Sequence, residues 1–106
     1  MLLLGDEGFD WDAGNREKCQ KHGVSIADIE RLFRSTLRIA PDLKHSAVED
    51  RFIAVGRTGK GRAMFVAFTF RTKQGRRVIR PVTARHMHAK ESANYEKEES
   101  PTSQNR

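Results

Sequence analysis

Residues 62–83 read RAMFVAFTFRTKQGRRVIRPVT, and this stretch decides the fold of the 106-residue chain. Every second residue of its first half is apolar, which predicts a strand over residues 62–71 with one buried face: Met64, Val66, Phe68 and Phe70. The run Lys73-Gln74-Gly75 predicts a tight turn into a second strand over residues 76–83. Because proline lacks an N–H group, Pro81 favours an edge position or a strand end.

The flanking residues predict the remaining elements of a small α+β domain. Upstream we expect, in order, a short strand over residues 9–12, a helix from Ala13 to Lys21, a second helix starting after Ser25, and strands over residues 37–39 and 51–57. Asp12 and Ser25 are predicted N-caps, and Gly23 is a predicted helix stop. Downstream we expect a last helix from about His86 to Glu98. The predicted fold is a small antiparallel sheet with two N-terminal helices and one C-terminal helix packed on it.

Length and composition bound the class of protein. The chain is long enough for one small domain, predicted over residues 8–98, with a loose arm at 1–7 and a disordered tail at 99–106. Cys19 is the only cysteine, which excludes a disulfide scaffold. No apolar run approaches the roughly 20 residues of a membrane span, and the N-terminus lacks a signal-peptide pattern. We therefore expect a cytoplasmic protein without membrane contact.

The positive charge is concentrated in one segment. The chain carries a net charge of +6, but residues 57–91 hold ten Lys and Arg against the single acid Glu91. A segment of this strength favours a polyanion such as nucleic acid, or an acidic protein partner. A basic surface that serves only solubility is the alternative.

One cluster of candidate functional residues lies at the end of the first predicted helix and comprises Lys18, Lys21 and His22. Because cations at a helix C-terminus are stabilised by the helix dipole, this cluster also has a purely structural explanation.

Two further clusters lie near the C-terminus. The last predicted strand and the residues after it carry Arg76, Arg77, Arg80 and Arg85. Alternation directs Arg76 and Arg80 to one face and Arg77 to the other, and an arginine on an apolar face either pairs with an acid or lines an anion site. The last predicted helix carries His86, His88, Lys90, Glu91 and Tyr95. His88 is either a general acid or base or an exposed residue without a role.

A metal site has weak support in the sequence. Cys19, His22, His86 and His88 supply metal-binding atoms, but the chain has no C-x-x-C pair and no characteristic separation between the two halves. We therefore predict no metal site and no cofactor.

A string of motifs extends over most of the chain: FDWDAGNREK at residues 9–18, KHGVS at 21–25, HS at 45–46, EDRF at 49–52 and RPVTARHMH at 80–88. Together with Lys90, Glu91 and Tyr95, they resemble the BrnT family, the toxin components of type II toxin–antitoxin modules. The resemblance covers about residues 8–97. Thr83 departs from it, because the family commonly has Ser there, and residues 1–7 match nothing in the pattern.

The resemblance implies a RelE-like fold and RNA cleavage that arrests translation and growth. It also implies a hetero-oligomer with a BrnA-type ribbon-helix-helix antitoxin, through which alone the operator DNA would be contacted. The motif positions that it matches are Lys18, Lys21, His22, Arg80, Arg85, His88, Lys90, Glu91 and Tyr95.

The charged clusters and the family resemblance together lead to the hypothesis of a metal-independent endoribonuclease that uses the RNA 2′-OH as nucleophile. Arg80 and Arg85 are the candidates for stabilising the phosphorane. Lys21, His22 and His88 are the candidates for moving protons. RNA-binding contacts are predicted at Lys18, Arg76, Arg77, Lys90 and Tyr95.

Two alternatives stay open at this stage. An attenuated toxin, or another non-catalytic module, would bind nucleic acid or an acidic antitoxin through charge alone. A zinc-dependent nuclease is the third possibility.

Overall fold

A computed structural model describes residue 4 and residues 7–35, 37–45 and 50–99. Its elements in chain order are β1 (Gly8–Phe9), α1 (Ala13–Gln20), α2 (Ile26–Leu32), β2 (Arg38–Pro41), a 3-10 turn (Leu43–His45), β3 (Phe52–Arg57), β4 (Ala63–Lys73), β5 (Arg76–His86) and α3 (Ala89–Glu99). The five strands form one sheet in the order β1-β5-β4-β3-β2. The predicted α+β class and the three helices are confirmed, but the sheet is mixed because β1 pairs with β5 in parallel.

Three predicted boundaries were wrong. The first strand contains only Gly8 and Phe9, although the N–H of Asp10 still donates to the carbonyl of Ile79 before Asp12 caps α1. The last strand continues past residue 83 to His86, and α3 therefore begins at Ala89 and not at His86.

The predicted tail lies outside the described residues except for Glu99, which ends α3. Of the predicted arm, Leu4 packs against the core and Glu7 pairs with Arg77.

The hairpin of β4 and β5 forms the centre of the sheet. Gln74 and Gly75 both have positive φ, 53° and 76°, so the predicted turn has the geometry that suits a two-residue hairpin. Further along, Phe68 pairs with Pro81 but Ala67 pairs with Thr83, so that Val82 is an extra residue, a β-bulge.

The bulge reverses the direction of the side chains that follow it. Ile79, before the bulge, contributes to the main core, and simple alternation would direct Thr83 and Arg85 to that same face. Because Val82 is an extra residue, Arg85 instead pairs with Phe65 and lies on the opposite face. Of the two expectations for Pro81, the strand end was wrong, whereas the edge position is confirmed locally because no described strand pairs with β5 on that side at Pro81. Pro81 lies in mid-strand, beyond the pairing of β5 with β1.

The two faces of the sheet are covered differently. Helices α1 and α2 cover one face with the main core, where Phe33 and Phe68 pack edge to face with ring centroids 4.9 Å apart. The predicted buried side chains Met64, Val66 and Phe68 are in this core. On the other face, α3 covers only one end, through Tyr95 packed near Ala63 and Phe65, as part of a smaller cluster.

We call the remainder of that second face the open face, defined by Ile53, Phe65, Ala67, Thr83 and Arg85. Within the described residues, no helix is long and apolar enough to cross a membrane.

The side chain of Asn15 joins helix α1 to β5 through hydrogen bonds. Asn15 is only 5% exposed, and its Nδ2 donates to the carbonyl of Pro81 at 2.8 Å and to that of Asp10 at 2.9 Å. Its Oδ1 accepts from the N–H of Asp12, which in turn caps the helix as predicted. Gly23, at φ 89°, then ends this helical segment in the left-handed conformation.

Replacing Asn15 with Ala is expected to destabilise the protein by about 2–4 kcal/mol, because the change leaves buried backbone groups without partners. Urea denaturation measures the loss. Glu17→Ala, an exposed change in the same helix, is the control and is expected to lie within about 0.5 kcal/mol of wild type. An Asn15→Ala variant as stable as this control would contradict the assigned role.

Candidate active site

A cavity of about 440 Å³ opens on the open face. Its polar lining comes from four separate parts of the chain: His22 after α1, Asp42 after β2, Arg51 before β3, and Thr83 and Arg85 in β5. Ile53, Phe65 and Ala67 contribute its apolar surface. A concave site with few convergent polar groups is the usual form of a small-ligand or active site.

Local structure positions each of these side chains. The Asn15 contacts hold α1 beside β5, and the chain leaving α1 therefore brings His22 to the level of Thr83 and Arg85. The N–H of Asp42 donates to the carbonyl of Arg51 at 2.8 Å, which joins the two ends of the β2–β3 connection. The bulge in β5 directs Arg85 to the same face.

Arg85 is held by a bidentate ion pair with Glu91 in the first turn of α3. Its Nη1 and Nη2 donate to the two carboxylate oxygens at 2.9 and 3.0 Å. Nη1 also approaches the carbonyl of His86 at 3.3 Å, and the guanidinium carbon lies 4.5 Å from the ring centroid of Phe65. The guanidinium is thus fixed in direction, while its Nε–H and one Nη2 hydrogen have no partner among the described residues.

Glu91 is a strongly stabilised carboxylate. The hydrogen bonds from Arg85 and then from the backbone N–H of His88 lower the pKa of Glu91 to about 2. The same pair raises the pKa of Arg85. Both groups are therefore charged throughout the physiological range, and Arg85 stays a cation at the cavity.

Arg80 has a different environment from Arg85. Its guanidinium donates to Asp12 at 2.8 Å and lies 3.3 Å from Asp10, which also pairs with Lys73 at 2.6 Å. The hydrogen bond from Lys73 and the charge of Arg80 lower the pKa of Asp10. Of the two interpretations of Arg80, this cluster supports the arginine paired with acids. Arg80 does not line the cavity that contains Arg85.

The other predicted proton carriers lie elsewhere. Lys21 follows α1 and is exposed, beside Lys18. His88 is exposed at the start of α3, where its carbonyl accepts from the N–H of Ser92. Neither lines the cavity with His22 and Arg85.

The predicted RNA-binding residues also lie on different parts of the structure. Lys18, Arg76 and Lys90 are exposed on three different elements. Arg77 pairs with Glu7 and lies 4.4 Å from the ring centroid of Phe70.

Tyr95 is not an exposed platform for base stacking. The residue is only 7% exposed and contributes to the small cluster under α3. The guanidinium carbons of Arg38 and Arg57 lie 4.4 and 5.1 Å from its ring centroid. In this conformation Tyr95 holds α3 on the sheet.

The side chains of the metal hypothesis are not brought together. Among the described residues, no group of three or more His, Cys, Asp or Glu side chains is arranged to hold a metal ion. Cys19 is buried in the main core, and burial raises the pKa of its thiol to about 11. His86 ends β5, and burial together with the charge of Arg62 lowers its pKa.

Sequence reasoning missed Asp42 and Arg51. Asp42 lies between the uncharged residues Pro41 and Leu43, and Arg51 follows two acids, so neither belongs to the basic clusters that singled out the other candidates. The EDRF motif contains Arg51 and was the one feature of the sequence that could have indicated this residue as a candidate. Only the fold brings this residue beside Arg85.

Comparison with known proteins identifies one family. A family model described as the ribonuclease toxin BrnT of type II toxin–antitoxin systems matches residues 11–91. No curated protein matches the chain. The matched residues contain most of the described fold and every side chain named above as lining the cavity.

Replacing Arg80 with Met is expected to destabilise the protein by about 1–2 kcal/mol, since the change removes the charged hydrogen bonds to two carboxylates near the surface. Thermal unfolding measures the effect. Arg76→Met, which removes the same charge from an exposed position of the same strand, is the matched control. Equal stability of the two variants would contradict a structural role for Arg80.

The Arg85–Glu91 pair predicts a pH dependence. Because folding lowers the pKa of Glu91 from 4.5 to about 2, its contribution to stability is present above about pH 4.5 and is lost as the pH falls towards 2. The difference in urea midpoint between wild type and Glu91→Gln is therefore expected to narrow from pH 6 to pH 3. A difference that stays constant over this range would contradict the pairing, and Glu17→Gln serves as the exposed control.

Proposed function

This chain belongs to the BrnT family of ribonuclease toxins of type II toxin–antitoxin systems, and from that premise we propose that it cleaves RNA at the cavity between His22 and Arg85 without a metal ion. The observation that carries the proposal is the lining of that cavity. His22 and Arg85 are far apart in sequence, yet they line one cavity together with Arg51. A proton carrier and two guanidinium groups around one space match the needs of phosphodiester cleavage.

The proposed reaction is transesterification. The RNA 2′-OH attacks the adjacent phosphorus, and His22 accepts its proton as the new P–O2′ bond forms. The P–O5′ bond then breaks, and the leaving 5′ oxygen takes a proton from water in the open cavity, while the proton held by His22 neutralises the hydroxide that remains. The products are a 2′,3′-cyclic phosphate and a 5′-OH end.

Arg85 and Arg51 are assigned to the phosphoryl oxygens. Charge on these oxygens grows as the phosphorane forms, and guanidinium N–H groups suit phosphate geometry. The bidentate pair with Glu91 fixes the guanidinium of Arg85 before RNA binds, which reduces the reorganisation required in the transition state. Lys21 and His88 stay predicted proton carriers, although they lie outside the cavity.

Exposed cations outside the cavity are assigned to the RNA backbone. Lys18, Arg76 and Lys90 fit this role by exposure, and Arg77 remains a weaker candidate because it pairs with Glu7. Contacts of this kind hold a polyanion without recognising its sequence, and they weaken as salt rises.

A cognate antitoxin and an RNA substrate follow from membership of a type II system. We further propose that the antitoxin is a BrnA-type ribbon-helix-helix protein, that the two form a hetero-oligomer, and that operator DNA is contacted only through it. Free toxin would arrest translation and growth by cleaving RNA.

A non-catalytic basic module is the competing function, and the net charge of +6 favours it as a simple binder of polyanions. Antitoxin-free protein incubated with defined RNA in EDTA distinguishes the two. Cleavage to cyclic-phosphate ends supports the proposal, whereas RNA that is retarded on a gel but stays intact supports the binder. Activity that EDTA abolishes and zinc restores would support a metal enzyme.

Arg85→Ala is expected to lower the cleavage rate about 100- to 1,000-fold, the usual cost of losing one electrostatic donor to the transition state. His22→Ala is expected to lower the rate by about 100-fold or more through loss of the proton acceptor. Arg76→Ala removes the same charge as Arg85→Ala, but from the tip of the same strand. It is expected to lower the cleavage rate less than Arg85→Ala does, by an amount that depends on the salt concentration. Arg85→Ala activity within about threefold of the Arg76→Ala control would overturn the assignment of Arg85.

A further inference from the structure

A second concavity adjoins the cavity at the candidate active site. It has a volume of about 560 Å³ and lies between α3 and the edge strand β2. The two spaces share a wall, because Ile53 and Phe65 line both. We call the second space the groove.

The lining of the groove suits a flat apolar ligand with polar edges. Val55, Phe65 and Met87 contribute apolar surface, while Arg38, Glu91 and Asn94 contribute polar groups. Unstacked RNA bases bind in this manner, against aromatic rings or guanidinium planes and with hydrogen bonds to their edges.

The position of Arg85 connects the groove to the reaction. Its guanidinium lies over Phe65, which lines both spaces, so that a phosphate held by Arg85 lies at their boundary. The base of an adjoining nucleotide is then next to the groove. Glu91 also lines the groove, and both of its carboxylate oxygens are held by the guanidinium of Arg85.

We propose that the groove is a nucleobase subsite, which binds the base of a nucleotide next to the scissile phosphate and recognises its edge through Asn94. The inference rests on the proposed ribonuclease function and adds a specificity-determining residue to it. Asn94 is exposed on α3, three residues after Glu91, so that one helix face carries both the group that positions Arg85 and the amide that meets the base.

An amide side chain is suited to this task because it carries a donor and an acceptor side by side. Adenine presents a complementary pair on its edge, and a matched amide contact distinguishes it from other bases. The subsite would therefore give the enzyme a base preference at one position beside the cut.

The first experiment measures kcat/KM on short RNAs that differ only at the nucleotides flanking the cut, including one RNA with an abasic ribose. For wild type we expect a base preference at one flanking position and a loss of about tenfold or more on the abasic RNA. Asn94→Ala should abolish the preference among bases while it keeps cleavage. Ala93→Ser, at an exposed neighbouring position outside the groove, should keep the wild-type preference.

A second variant tests the space itself. Ala40 is exposed on β2 and lines the groove, and Ala40→Trp is expected to fill it. For this variant we expect kcat/KM on the intact RNA to fall about tenfold because KM rises. On the abasic RNA its kcat/KM should equal that of the wild type. Ala93→Trp places the same ring on the exposed side of α3 and is the matched control.

The outcomes separate this inference from the proposed function. RNA cleavage with no base preference, or with a preference that Asn94→Ala retains, would overturn the subsite and leave the ribonuclease intact. Unchanged cleavage by Ala40→Trp with weakened binding of the antitoxin would assign the groove to that protein and also overturn the subsite. A wild-type protein that binds RNA without cleaving it would overturn both.

Discussion

The hydrogen bonds of Asn15 are the interaction on which the rest of the site depends. They join α1 to β5 at the carbonyl of Pro81 and fix the capped turn that begins the helix. Because the direction of α1 is set at its start, the position of His22 at its other end follows from this contact. A buried polar group of this kind is stabilising only when all of its partners are present. The attachment of α1 to β5 therefore also sets the position of His22 in the cavity.

The bulge at Val82 is the second constraint, and it acts on the arginines of β5. Arg80, before the bulge, lies among acidic side chains near the sheet edge, where its charge is neutralised. Arg85, after the bulge, lies on the open face with one carboxylate partner and a cavity beside it. One strand thus supplies a structural arginine and a candidate functional one. Their surroundings, and not their residue type, separate the two roles.

Helix α3 contributes more than cover for one end of the sheet. Its first turn supplies Glu91, which holds Arg85, and the next turn supplies Asn94 and Tyr95 along the groove. Tyr95 packs under the helix and contacts two guanidinium groups, so that its contacts keep the helix on the sheet. The orientation of Arg85 and the proposed recognition of a base therefore both depend on this one short helix.

The sequence by itself determined the elements of this protein. Alternating residues specified β4, the Gln74–Gly75 turn specified its pairing with β5, and Asp12, Ser25 and Gly23 bounded the N-terminal helices, because each of these signals is local. The motifs also identified the family. Only the tertiary structure decided that Arg80 pairs with Asp10 and Asp12, that a bulge turns Arg85 to the open face, and that Arg51 joins His22 there. These results depend on contacts between residues distant in sequence, which local periodicity does not encode.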